Sequence, residues 1–318
     1  MTDVLRHLDR QQLAARDRDT NHIPSWQSTA HHGRWSHGHD HHSITTMTDG
    51  EYILGAGADE LARLALQNRL WSDVSSQTFK RAQLQMGHRV LDVGCGPGYA
   101  SCDLANLVTR YGYVFGVDES QAFIDQANST SKASGIDHLA AKVGDVQQLD
   151  QVLDGQEPFD FAYARWVLCF VPDPDSVVRG IANALKPGGR VAVQHYFNYC
   201  SMTLAPRSRS HDLVVEATAR SWISHGGDPD IGARLPAMFE AHGLRLDDVR
   251  AHLHVARGND SMFSWPNTWW HTFAPKLVAM GEIKQSDCDE LIKDLKKIED
   301  GDGFIQCPPV YEFLATKI

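Results

Sequence analysis

Residues 90–98 read VLDVGCGPG: an apolar run that closes on Asp92, then glycines at 94, 96 and 98, then the helix-forming stretch YASCDLANLV. Glycine lacks a Cβ, so the chain can turn tightly from strand to helix and a ligand can lie directly on the backbone. The helix start adds unpaired N–H groups. Gly94, Cys95, Gly96 and Gly98 therefore form a cradle for a small polar ligand, and Asp92 sets its charge. A carboxylate there repels pyrophosphate and can accept hydrogen bonds from an ammonium group. The dinucleotide pattern G-x-G-x-x-G is also absent, which disfavours a nicotinamide-dependent oxidoreductase.

Further candidates recur at the ends of apolar runs. YVFGVD ends on Asp118, followed by Glu119; LAAKVGD is followed by Val146, after Gly144 and Asp145; FDFAYA runs into Arg165 and Trp166; and RVAVQHYFNYC delivers His195, Tyr196, Asn198 and Tyr199. A carboxylate such as Asp118 has two oxygens and can hold a diol in a bidentate way. His195 is the leading general-base candidate because an unperturbed imidazole titrates near pH 6.5. A strand-end histidine bonded into the packing is the competing reading.

The elements that must position these residues alternate strictly. Strand and helix patterns follow one another from 88 to 197, which predicts a parallel sheet with right-handed crossovers. Two amphipathic helices are expected before it, over 59–71 and 73–85. After residue 200 the rhythm breaks into helical stretches at 200–226 and 230–243, a strand at 244–255, a second helical insertion over about 258–305 and a closing strand at 309–318. The fold class is thus α/β, a doubly wound, seven-stranded, mostly parallel sheet with helical insertions forming a lid. The expected organisation is a polar, His-rich, disordered tail over 1–48 and a helical segment over 49–86 that covers the ligand cradle. A core over 87–200, 229–257 and 309–318 follows, with lid insertions at 201–228 and 258–308.

Thirty Lys and Arg face forty Asp and Glu, a formal charge of -10. Such a field repels a phosphate backbone, so nucleic acid is not an expected partner. Six scattered cysteines suit a reducing compartment, and no apolar run reaches membrane-spanning length, so a cytoplasmic protein without a membrane partner is expected. The tract HHGRWSHGHDHHS at 31–43 matches no closed metal site, and no metal is expected. A homodimer is compatible with this composition.

The loop from Asp92 to Gly98 resembles motif I of the class I S-adenosylmethionine-dependent methyltransferases, and the similarity continues through GVDES at 116–120. The resemblance covers about 52–256 and implies S-adenosyl-L-methionine as cofactor. It implies that Asp118 receives the ribose hydroxyls and that Asp145 and Val146, after Gly144, hold the adenine. It also implies that Arg165 and Trp166 pass near the sulfonium carbon. YILGAGADELARLALQ at 52–67 is similar to the segment that closes over the methionine portion, which implies roles for Tyr52 and Gln67.

Methyl transfer is an in-line displacement, so the protein must align the acceptor and exclude water. The expected acceptor is a small molecule, methylated on oxygen or nitrogen before sulfur. Tyr196, Asn198, Tyr199, Trp222, Asp228 and Trp269 are the expected substrate contacts beside His195. Tryptophans 265, 269 and 270 either box the acceptor or pack the lid. Methylation of protein or nucleic acid, and a regulatory protein that binds the cofactor without turnover, are the alternatives.

Overall fold

The computed structural model describes residues 57–318. In chain order its elements are α1 Ala58–Arg81, β1 Arg89–Val93, α2 Tyr99–Val108, β2 Tyr113–Asp118, α3 Gln121–Ala133, β3 Leu139–Val143, α4 Leu149–Val152, β4 Phe159–Arg165, α5 Pro174–Ala184 and β5 Leu185–Tyr196. There follow β6 Thr203–Ala205, α6 Arg209–Ser224, α7 Leu235–Ala241, β7 Leu244–His252, β8 Val255–Ala256, α8 Ser264–Ala279, α9 Gln285–Glu299, β9 Phe304–Gln306 and β10 Val310–Lys317.

Seven strands form one sheet in the order β3-β2-β1-β4-β5-β10-β7. β1 pairs in parallel with β2 and β4, while β10 runs antiparallel between β5 and β7. The chain winds outward from β1 to β3 on one side and from β4 to β5 on the other. The crevice beyond the carboxyl ends of β1 and β4 is therefore the topological switch point, where ligands sit in open α/β sheets.

Side-chain alternation explains why the inner strands are apolar throughout. Leu91, Phe115, Ala162 and Val193 enter one core, and their neighbours Val90, Val114, Phe161 and Ala192 enter the other. Both faces are covered, as a parallel sheet requires. Caps set the helix starts: Asp173 accepts from Ser176 N–H before Pro174–Ala184, and Ser120 accepts from Phe123 N–H before Gln121–Ala133.

Three expectations change. The two helices before the sheet are one of 24 residues, because nothing between Trp71 and Asp73 breaks the backbone and acids at its start and bases at its end suit the dipole. The helix expected over 230–243 shrinks to seven residues, with Pro236 in its first turn and a 3₁₀ turn before it. The insertions also contain a three-stranded antiparallel sheet, β6-β9-β8, whose strands of two and three residues are too short to leave a period in the sequence. No helix among the described residues is long and apolar enough to cross a membrane.

Candidate functional site

A crevice opens at the switch point and runs from the glycine loop to the helical insertions. Its floor is the turn after β1. Gly96 takes φ 54° and a Cβ there would meet open space, so the ligand side of the loop is bare backbone. Asp118, at the end of β2, clamps this loop from the side: its Oδ2 accepts the Gly96 N–H at 2.8 Å and its Oδ1 the Ser120 N–H at 3.0 Å. Each carboxylate oxygen accepts two hydrogen bonds, so both keep capacity for a diol. Burial raises the Asp118 pKa, and the two N–H bonds oppose that rise.

Asp92 lies under the loop, 2% exposed, with Ser101 Oγ donating to its Oδ2 at 2.5 Å. Burial raises its pKa to about 6. An unfolded aspartate titrates near 3.9. Between these values the folded protein retains a proton that the unfolded chain has lost, so stability rises as pH falls from 7 toward 4. At pH 7 the buried charge costs up to about 3 kcal/mol. Asp92→Asn is expected to raise the urea midpoint of the ligand-free protein at pH 7, with the gain shrinking as pH drops to 4.5. A lowered midpoint at pH 7 would show that the fold needs the carboxylate.

Asp118, Glu119, Asp145 and Asp92 make this end of the crevice acidic. Arg165 faces them from the end of β4, donating through Nη1 to Ser75 Oγ at 3.1 Å and through Nη2 to Asn68 Oδ1 at 2.6 Å. Asp145 caps the turn that follows β3, its Oδ1 accepting from Gln147 N–H at 2.8 Å. Glu119, Val146, Gly94 and Cys95 also line this end. From α1, Gln67 Oε1 accepts from Trp265 Nε1 at 3.1 Å and Arg63 Nη1 at 3.2 Å, joining that helix to α8.

The other end is aromatic. Trp166, held at φ 54°, stacks on Tyr196 with ring centroids 6.1 Å apart and lies 5.6 Å from Trp265. A positive φ at a bulky residue is strained, and the turn after β4 sustains it where the chain meets the crevice. Trp222 lies 4.9 Å from Phe170, 5.0 Å from Tyr199, 6.0 Å from Tyr196 and 6.1 Å from Trp269. Met202 and Pro308 complete this wall.

Several sequence-derived roles are corrected. His195 lies outside the crevice with 0% exposure, its Nε2 accepts the Cys169 N–H at 3.1 Å, and burial lowers its pKa to about 3. A neutral imidazole already bonded to backbone is no general base, so His195 anchors the turn after β4 to β5. Asn198 is exposed and starts a 3₁₀ turn at φ 60°. Asp228 closes its own turn, accepting from Asp230 N–H at 2.9 Å and pairing with Arg234 at 3.3 Å. Gly98 and Gly144 serve packing: a Cβ would stand 2.7 Å from Ala127 in one case and 2.7 Å from Val152 in the other. Tyr52 and the histidine tract lie outside the described residues. Among the described residues, no three His, Cys, Asp or Glu side chains are grouped to hold a metal ion.

Sequence reasoning missed Arg63, Asn68, Gln147 and Phe170, all of which line the crevice. For α1 a signal existed. Glu60, Arg63, Gln67, Trp71, Ser75 and Thr78 recur at helical spacing, so polar groups occupy the face that meets the sheet.

A doubly wound sheet with an acid-tipped second strand beside a bare glycine loop defines a nucleoside-binding α/β protein of the class I methyltransferase architecture. A family model described as a methyltransferase domain matches residues 84–222. The chain is 30% identical over 216 residues to a ubiquinone biosynthesis O-methyltransferase of Xanthomonas axonopodis pv. citri, covering 63% of this chain and 85% of that protein. It is 31% identical over 174 residues to the methyltransferase GfsG of Streptomyces halstedii, covering 54% of this chain and 58% of that one. Its fold is similar to that of a putative sarcosine dimethylglycine methyltransferase from Galdieria sulphuraria, with a TM-score of 0.51, 15% identity, and coverage of 78% of this chain and 84% of that one. The chain belongs to the class I S-adenosylmethionine-dependent methyltransferase family. It spans about half the length of several curated relatives it matches, 57%, 58% and 43%.

Proposed function

We propose that this protein transfers a methyl group from S-adenosyl-L-methionine to a small-molecule acceptor enclosed by the helical insertions. The observation that carries this reading is the division of one crevice into an acidic end over bare backbone and an aromatic end under the lid. When bound, the cofactor supplies an electrophilic methyl on a sulfonium. Asp118 would hold the ribose and the loop at Gly94 to Gly96 would carry the nucleoside. Asp92 would face its positive charges, and Asp145 and Val146 would flank the base. The fit rests on Gly96, whose missing Cβ leaves the cradle open, and on carboxylates suited to a cation.

The aromatic end excludes water and aligns the acceptor, which is most of what an in-line displacement asks of the protein. The names of two curated relatives, both ubiquinone biosynthesis O-methyltransferases, support a small-molecule acceptor. Six cysteines without disulfide partners suit work in the cytosol. Calorimetry with S-adenosylhomocysteine and with NAD is expected to show binding of the first alone. Incubation of the protein and a metabolite extract with methyl-labelled cofactor is then expected to label small molecules. Label found on protein or RNA instead would overturn the acceptor class.

A further inference from the structure

Given that reading of the crevice, we propose that the acceptor is a neutral atom with a free lone pair and no proton to lose, so that its product is an onium ion held by the aromatic end. Two sources share this chemistry: a thioether sulfur and a pyridine-type ring nitrogen.

The first argument is the missing base. Methylation of a phenol or an ammonium group needs a group to take the proton. Among the described residues the crevice has no histidine and no lysine in its lining. Its four carboxylates, Asp92, Asp118, Glu119 and Asp145, lie along the glycine loop and at the ends of β2 and β3, the end assigned to the cofactor, and none stands among the aromatic rings. Tyr199 is 2% exposed and burial pushes its pKa well up, so its phenolate does not form. A reaction that releases no proton removes the need.

The second argument is the wall. Trp222 packs with the rings of Tyr196, Tyr199 and Trp269 along one end of the crevice, with Phe170 at its exposed rim. A cation against an aromatic face is attracted by the ring quadrupole, most strongly where water is displaced. That attraction is absent for a neutral acceptor and grows as charge arrives, so it favours the transition state over bound substrate. In the step itself the acceptor's lone pair forms the bond to the methyl carbon, and the carbon–sulfur pair stays with the donor. The positive charge moves from donor sulfur to acceptor, and the donor leaves as a neutral thioether.

Binding of N-methylpyridinium and of toluene, which share a shape and differ in charge, tests the proposal by tryptophan fluorescence on the full chain saturated with S-adenosylhomocysteine. The charged probe is expected to bind at least tenfold tighter, and Trp222→Leu to remove most of that preference. Should the variant fail to fold, fluorinated tryptophan incorporated in the wild-type chain weakens the π faces without changing shape and is expected to reduce the same ratio. Equal affinities for the two probes overturn the proposal. With labelled cofactor, transfer to pyridine or to dimethyl sulfide identifies the source. Transfer to a phenol with one proton released per methyl would overturn the proposal while leaving methyl transfer intact. Failure of S-adenosylhomocysteine to bind would instead sink the reading on which it rests.

Discussion

Replacing Trp71 by alanine is expected to lower the free energy of unfolding by about 3–5 kcal/mol, the scale for emptying a large buried aromatic site. Trp71 projects from the middle of α1 and is 0% exposed. Its ring meets Trp166 at 5.3 Å, His254 at 5.1 Å and Trp265 at 4.9 Å, all edge-on. One side chain thus joins α1, the turn after β4, the segment between the two sheets and α8. Edge-to-face pairs add about 0.5–1.5 kcal/mol to area burial, so three such contacts place the loss at the upper end of the range. Urea unfolding measures it, and a loss under about 1.5 kcal/mol would show that the neighbouring rings collapse into the space. The same variant is expected to bind acceptor poorly, because Trp166 and Trp265 form part of the crevice wall.

Asp118→Ala is expected to weaken cofactor binding by about 1.5–3 kcal/mol, roughly 10- to 150-fold, the scale for losing hydrogen bonds to a charged group. The residue has two tasks. It would accept from the ribose, and it bonds the Gly96 N–H at 2.8 Å, which fixes the loop on which the nucleoside would rest. Asp118→Asn keeps an acceptor oxygen and loses the charge, so its affinity is expected to fall between wild type and the alanine variant. Calorimetry with S-adenosylhomocysteine reads both. Unchanged affinity in the alanine variant would place the ribose elsewhere.

How far the sequence reaches can be judged from particular residues. The strands are legible because each is a short apolar run with turn residues at both ends. Asp118 is legible because a strand of that length, starting there, must end beside the glycine loop. Trp222 and Trp269 were read from their type alone, and both line the crevice. His195 shows the opposite case. Its type suits a base, but one register step decides whether a strand-end side chain faces ligand or core, and the pairing of β5 with β10 turns it inward. Asp228 and Asn198 likewise had the right chemistry and ended in turns, where short polar side chains bond to nearby backbone.

The sequence by itself determined the strict alternation of strand and helix through the parallel part of the sheet, the place of the glycine loop in that alternation and the sign of the charge around that loop. These follow from local spacing, and neighbouring residues carry them. The tertiary structure alone decided which aromatic rings meet and that, among the described residues, no histidine or lysine lines the crevice beside them. Trp71, Trp166, Trp222 and Trp265 come from four separate elements, and contacts across such chain separations leave no period for a sequence to display.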